Sequence, residues 1–560
     1  ALMLVCVLAG CSHRLEYPIA DPITFDPDNT HLAQAPEERE PNAKWDAVYY
    51  IMLHPTMENI DNMFGLLGPW EAKNVNSFGE VPDSSWFTNR IGRSPMTPGE
   101  VAQGPNTTQG PSQYGQWTVT RGKTQGVTPG FFIKDSLGEA YIVKFDPPKG
   151  PETNSGSDII CSRFFHATGY NVPEDSVVYF DPKILKLSPD AKFVDKKGRK
   201  RRMTRSDLDE ILQYPTREPD GRIRVFTSKM LDGKPIGPFK YRKIRKDDPN
   251  DIIPHQYRRE LRGLVAIGAF LNHSDMKGPN SLDAYVTENG KSYVKHYLID
   301  FGSALGASAY GACKPFKGHI YGTVDFGDIF LNIITLGLYV HPWEKIKCPE
   351  IRGIGSFEAD VYNPGHWRPN YPNAALISAT KLDGYWGAKI VMAFTDEHIK
   401  AIVKEAKYSD PRAEEYMIRT LSKRRDKTGR YWYNKVNPLD KFKVDEHVLQ
   451  FDDLAVVGHL EKAENATYKW KLEYRGKETQ NLTDYLEIDS TQITFTPDII
   501  EKMNDAILKF GQPDKPRNRV FSIDIRTKRA NRPKWSKSVR PHIYYSPEGE
   551  FKLIGIEREG

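Results

Sequence analysis

Four residues of this chain have side chains and intervals suited to a shared chemistry. Asp275 is followed by Lys277 two positions later and Asn280 five positions later, and Asp300 opens an Asp-Phe-Gly at 300–302. A carboxylate can orient and deprotonate a hydroxyl. An amide and a second carboxylate can give oxygens to Mg²⁺ on nucleotide phosphates, and an ammonium can steady the charge that moves between them. Phosphoryl transfer needs this set. Asp275 suits the base, Lys277 the cation on the transferring phosphate, and Asn280 and Asp300 the metal ligands.

An isolated Asp-Phe-Gly says little, and the chain holds two, at 300–302 and 325–327. Context separates them. The first ends the apolar run His296-Tyr297-Leu298-Ile299. Before it, Asp283-Ala284-Tyr285-Val286 and Ser292-Tyr293-Val294 flank Glu288-Asn289-Gly290, which predicts a hairpin. The second opens Ile329-Phe330-Leu331-Asn332-Ile333-Ile334, which reads as a buried helix. Upstream, the periodicity from Tyr257 to Leu271 puts Leu261, Leu264, Val265, Gly268 and Leu271 on one helical face, delivering the chain to Asn272-His273-Ser274-Asp275. His273 reads as a packed or turn histidine.

The order of these parts resembles a protein-kinase-like phosphotransferase. Ala140-Tyr141-Ile142-Val143-Lys144-Phe145 is an alternating strand with a Lys near its end. In kinases such a Lys holds the α- and β-phosphates and pairs with a helix carboxylate. The helix from Ser157 closed by Gly169, then Tyr170-Asn171-Val172-Pro173, is similar to the small lobe of HipA-type toxin kinases and related atypical kinases. That resemblance makes Asp158 the partner of Lys144, with Glu152 as the alternative. Between Gln116-Trp117-Thr118-Val119-Thr120 and Phe131-Phe132-Ile133-Lys134-Asp135 lie Gly122, Lys123, Gly126 and Gly130. This is either a phosphate-covering loop, in which glycines let backbone N–H groups approach the ligand, or an ordinary turn. Lys123 is either a phosphate contact or a solvated side chain. The resemblance implies ATP or another nucleotide with Mg²⁺ or Mn²⁺. His-Ser-Asp stands where kinases usually carry His-Arg-Asp, so an activation loop switched by phosphate is not expected.

Leu8-Ala9-Gly10-Cys11-Ser12 closes a short apolar stretch and resembles a bacterial lipoprotein signal with its lipobox. The resemblance implies acylation of Cys11, a membrane anchor, and an outer-membrane address facing the periplasm or cell surface. Secreted kinases of the Golgi and spore-coat types show that such folds work outside the cytosol. No stretch after the signal is long and apolar enough to span a bilayer. Of five cysteines, Cys161, Cys313 and Cys348 remain past the signal. Cys161 reads as a buried helical residue, and Cys313 and Cys348 are candidates for a disulfide. No CxxC pair marks a zinc site.

A length of 560 residues suits two or three domains, and a net charge of +5 is too mild and dispersed for a nucleic-acid binder. The basic run Lys196-Lys197-Gly198-Arg199-Lys200-Arg201-Arg202 reads as a hairpin tip, solvated or docking an anionic surface. The expected class is α+β: a bilobal kinase-like domain with an N-terminal extension and a β-rich, sandwich-like C-terminal domain. The expected parts are a truncated signal (1–11), a flexible tether (12–42) and an aromatic-rich extension (43–115) holding Trp45, Tyr49, Tyr50, Phe64, Trp70 and Trp86. A small lobe (116–243), a large lobe (244–436) and the β-rich domain (442–560) follow. Phe239-Lys240-Tyr241-Arg242 reads as a late strand of the small lobe, and Leu454-Ala455-Val456-Val457-Gly458 as a strand of the last domain. Residues 363–372 suit a substrate-side loop. Three readings remain: a membrane-anchored phosphotransferase acting on a protein, glycan or small-molecule hydroxyl, a catalytically silent kinase fold serving as an envelope binding module, or a structural lipoprotein in which the motifs are coincidence.

Overall fold

The computed structural model describes residues 18–39, 71–123, 128–195, 198–321, 326–371, 373–476, 479–511 and 513–560. Cys11, Gly126, Lys196, Lys197, Asp325 and the aromatics Trp45, Tyr49, Tyr50, Phe64 and Trp70 lie outside the described residues. The protein is mixed α/β with one large sheet. It divides into two compact units, the larger built on Val81–Lys435 and the smaller on Val436–Glu559.

In the larger unit, a capped helix α1 (Pro98–Gln103) precedes a seven-stranded sheet ordered β4-β7-β3-β2-β1-β5-β6. Its strands are β1 (Trp117–Gly122), β2 (Gly130–Lys134), β3 (Ala140–Lys144), β4 (Asp175–Phe180), β5 (Leu185–Val194), β6 (Lys200–Arg202) and β7 (Ile223–Lys229). Alternation along them sends Trp117, Val119, Phe131, Ile133, Tyr141 and Val143 into one core. Helix α2 (Thr153–Thr168) follows β3 and stops at Gly169, whose φ of 126° no side-chain-bearing residue adopts easily. A short helix α3 (Arg205–Leu212) lies between β6 and β7.

After β8 (Lys234–Pro235), α4 (Arg259–Phe270) leads into the Asp275 loop. The predicted hairpin is present as β9 (Ser281–Glu288) and β10 (Lys291–Leu298), with Asn289 and Gly290 both at positive φ as a two-residue turn requires. The pair β11 (Ala307–Ser308) and β12 (Gly311–Ala312) follows, then the helices α5 (Phe326–Ile334), α6 (Ala374–Ile377), α7 (Lys381–Val391), α8 (Asp396–Lys404) and α9 (Pro411–Tyr433). Ile160, Phe164, Leu264, Ile267, Val391 and Leu421 join α2, α4, α7 and α9 in a second core.

The smaller unit has a three-stranded sheet of β13 (Leu439–Asp445), β14 (Val448–Asp453) and β18 (Gln492–Thr494). A six-stranded sheet holds β15 (Ala466–Arg475), β16 (Thr479–Asn481), β17 (Leu486–Ile488), β19 (Val520–Arg529), β20 (Val539–Tyr545) and β21 (Phe551–Arg558). Both sheets share a core with α11 (Pro497–Phe510), through Phe451, Trp470, Met503 and Ile523. The short helix α10 (Leu454–Val457) stands where a strand was expected, because Asp453 caps it and Gly458 ends it.

Five further expectations are corrected. Residues 239–242 form no strand; Phe239 is held through the hydroxyl of Ser281, 3.1 Å from its N–H. Residues 25–39 are no loose tether: Asp28 buries its carboxylate against the N–H and hydroxyl of Ser85, and Leu32 packs on Ile236 and Val294. Cys313 and Cys348 are free thiols, as is Cys161. The Ser356 hydroxyl intervenes between the first two, 3.0 Å from Cys348 Sγ and donating to the Cys313 carbonyl. Helix α5 is not buried, since Ile329, Phe330, Ile333 and Ile334 face solvent. Glu152 is not near-paired with Lys144; its carboxylate is committed to Arg352 and Ser409.

Candidate functional site

Three chain segments meet at the site. Strand β3 brings Lys144 to its end, α2 carries Asp158, and the β9–β10 hairpin sets Asn280 and Asp300 at its two bases. The bases are tied together where the Ile299 N–H donates to the Asn280 carbonyl at 3.2 Å. An aromatic stack fixes the three segments against one another. Phe165 of α2 lies flat on Phe301 at 4.9 Å, and His273 sets its edge against both rings. His273 is therefore a packing residue, and burial pushes its pKa down to about 4. The Ser157 hydroxyl adds a bond to the Phe301 carbonyl at 2.7 Å.

Lys144 and Asp300, 156 positions apart, form an ion pair with Nζ 2.8 Å from Oδ1. Asp300 takes a left-handed backbone, φ 62°, that a non-glycine residue adopts at a cost. Its side chain is half exposed. Lys144 holds it well below the usual carboxylate range. Burial works against the Lys144 charge, but Asp300 and Asp158 outweigh it and raise the Lys144 pKa. Asp158 thus stands within the field of Lys144 without bonding it. Its Oδ1 is buried and has no hydrogen-bond partner, and burial raises its pKa despite Lys144.

Asp275 lies at the other end. Lys277 Nζ is 3.1 Å from its Oδ1, and Asn280 donates its amide nitrogen to the Asp275 carboxylate at 3.0 Å and carbonyl at 2.9 Å. That leaves the Asn280 amide oxygen as the end free to ligate. Burial disfavours the Lys277 charge, but Asp275 prevails and raises its pKa.

Among the described residues, no group of three or more His, Cys, Asp or Glu side chains converges on a metal position. Asp300 and Asn280 are the two candidate ligands. Two oxygen donors suit Mg²⁺ or Mn²⁺, which take most of their shell from phosphates and water.

In the glycine segment, Gly130 pairs with Lys144, and a Cβ there would strike the Val143 carbonyl. A Cβ on Gly122 would strike the Phe193 ring. Both glycines are thus explained by strand packing. Lys123 bends back to the Thr128 carbonyl at 2.7 Å, and burial with the nearby Lys144 charge lowers its pKa to about 8. It faces the Lys144–Asp300 pair rather than open solvent.

Sequence reasoning missed Lys317. Its Nζ bonds Asn370 Oδ1 at 2.7 Å, and Asp275 is among the charges acting on it. Asn370 in turn donates its N–H to the Ser274 carbonyl at 2.6 Å, and Lys277 lies 5.3 Å from the Tyr371 ring. The described residues 363–371 therefore do meet the Asp275 loop. No local spacing marks Lys317; the pairing of Gly318 with Arg368, fifty positions later, helps to bring it there.

No family model matches the chain, and no curated protein matches it. Several solved structures resemble it weakly, two of them as follows. One is described as the crystal structure of the Golgi casein kinase, with 10% identity, a TM-score of 0.25, and coverage of 74% of this chain and 95% of that one. The other is the same kinase with Mn/ADP bound, with 11% identity, a TM-score of 0.25, and coverage of 74% and 93%. Likeness at this level leaves the functional reading to the site itself.

Proposed function

We propose that this protein is a kinase-like phosphotransferase that moves a phosphoryl group from a nucleotide to a hydroxyl acceptor. The observation that carries the reading is the Lys144–Asp300 ion pair with Asp158, Asn280 and Asp275 around it. A structural salt bridge has no need of a strained left-handed Asp, a buried carboxylate oxygen without a hydrogen-bond partner and a second Asp–Lys pair near it.

In this reading Asp275 accepts the proton of the acceptor hydroxyl, and Asn280 holds its carboxylate in place. Lys277 balances charge at the transferred group. Asp300 and Asn280 hold Mg²⁺ or Mn²⁺, which when bound neutralises phosphate oxygens. Lys144 faces the nucleotide phosphates, and Asp158 is the carboxylate left to it when Asp300 serves the metal. The lipobox-like Cys11 supports a lipid-anchored address in a bacterial envelope. No described helix is long and apolar enough to cross a membrane. A silent nucleotide-binding module is the second reading, favoured by the neutralisation of Lys144 by Asp300.

Thermal-shift titration with ATP and Mg²⁺ or Mn²⁺, run on the wild type and Asp300→Ala together, tests the site. A metal-dependent rise in Tm present in the wild type and absent in the variant is expected. No rise with any nucleotide would overturn the reading, and binding without measurable phosphate transfer would leave the silent module.

A further inference from the structure

The described surface has one long apolar stretch that no described residue covers. From Ile329 to Val340 there is no charged residue. Ile329, Phe330, Ile333 and Ile334 recur at helical spacing on the outer side of α5, with Phe330 64% and Ile333 65% exposed. The chain beyond the helix continues the patch, with Leu336 87% and Leu338 82% exposed and Tyr339 and Val340 also open. Leu331, Asn332 and Thr335 are the half-buried inner side. Other exposed large apolar residues, such as Tyr114, Leu137 and Ile252, are scattered. A contiguous patch marks an interaction surface in a way that single residues do not.

We propose that this patch seats on an anionic lipid bilayer, entering its interfacial layer. The patch chemistry selects a bilayer over a protein groove. Leu, Ile and Phe form an uncharged centre, and Tyr339, 41% exposed, sits at its margin, where a ring with one polar end favours the headgroup level. Trp343 is set against the body of the unit by Phe316 at 6.2 Å and stacks on His341 at 5.1 Å. Lys345 and Lys347 follow as exposed cations, while Glu344 turns back to cap the His341 N–H at 2.8 Å. An apolar centre bordered by aromatics and then lysines matches the order of chain, interface and anionic headgroup in a leaflet.

Length fixes the mode. Helix α5 has nine residues and extends about 14 Å, under half of the roughly 30 Å hydrocarbon core. It cannot span, so it lies in the surface plane. The lipobox-like sequence at Cys11, whose resemblance implies acyl chains held in a bilayer, would bring the patch to the same surface. The inference is independent of the phosphotransferase reading, because it uses none of the cleft residues.

The test uses the chain from Ser12 onward, which retains every described residue and carries no acyl group. It is sedimented with vesicles of phosphatidylcholine containing a minority of phosphatidylglycerol. The wild type should sediment with the vesicles. The double substitution Phe330→Glu with Ile333→Glu should lower partitioning by at least about tenfold, at an unchanged Tm. The milder Leu336→Ser with Leu338→Ser should lower it in the same direction. Absence of wild-type binding, or equal binding by the Glu variant, would overturn the proposal. So would a concentration-dependent dimer in sedimentation velocity that the same substitutions abolish, since a second copy would then be the occupant.

Discussion

Two clusters of the larger unit are made of the same parts and treat them oppositely. Asp146, Glu152, Arg224 and Arg352 form a network closed by hydrogen bonds, and they line a small pocket. Asp146 accepts from the Ser155 N–H at 2.8 Å and hydroxyl at 2.6 Å. Arg224 reaches the carbonyls of Ala406 at 2.5 Å and Lys407 at 2.9 Å. Glu152 accepts from Arg352 at 2.6 Å and from the Ser409 N–H at 2.9 Å. The network ties the start of α2 to the end of α8. In the cleft, Asp158 keeps an unpartnered oxygen, and Asp300 spends backbone strain to face solvent. Buried charge that is fully bonded holds a fold, whereas buried charge left incomplete awaits a ligand.

The largest effect that would sharpen this contrast is on turnover. Asp275→Asn keeps the shape and removes the base, so phosphate transfer should fall about 10²- to 10⁴-fold. Nucleotide-induced stabilisation should persist, because neither candidate metal ligand is altered. Loss of nucleotide binding together with turnover would move Asp275 from the base to the binding apparatus.

Next comes the closed network. Arg224 is almost wholly buried, and Arg224→Met strands Asp146 and two main-chain carbonyls. Breaking a buried ionic network from one side costs about 3–5 kcal/mol. Denaturant titration should show a loss of that order in the larger unit, and turnover per folded molecule should stay near wild type. Unchanged stability with reduced turnover would mean that Arg224 belongs to the chemistry, and the division between the clusters would fail.

What the sequence showed of this arrangement follows how local each signal is. The stop of α2 at Gly169, the Asn289-Gly290 turn and the helix before His273 were readable because periodicity and turn chemistry act within a few residues. The choice between Asp158 and Glu152 was not. Both lie at the start of α2, and what separates them is Arg352 and Ser409, some two hundred positions later. That Lys144 bonds Asp300 rather than either was equally hidden, since it depends on how a hairpin end meets a strand end. Helix α5 shows a different limit. An apolar run fixes that a segment avoids water but not what it avoids water against, so Ile329 to Ile334 read as core and stand at the surface. In residues 25–39, polar composition suggested a tether, yet one buried carboxylate and one leucine suffice to pin the segment.

The smallest expected effect probes the contrast most directly. Burial, followed by the charges of Asp300 and Asp175, raises the folded-state pKa of Asp158 above its ordinary 3.8, against the pull of Lys144. A carboxyl raised by folding holds its proton more tightly folded than unfolded. The stability it contributes is fully present below the unfolded pKa and is lost as pH rises through the folded one. Asp158→Asn cannot ionise, so it should flatten that part of the pH dependence. At about pH 8 the ligand-free variant should be more stable than the wild type by on the order of 1 kcal/mol, and at about pH 5 the difference should narrow. With nucleotide and Mn²⁺ the order should reverse, because Lys144 then lacks the carboxylate that replaces Asp300. Denaturant titrations at both pH values, with and without nucleotide, give the four numbers. A ligand-free Asn variant that is less stable at the higher pH would put Asp158 with the closed network, as one more structural charge.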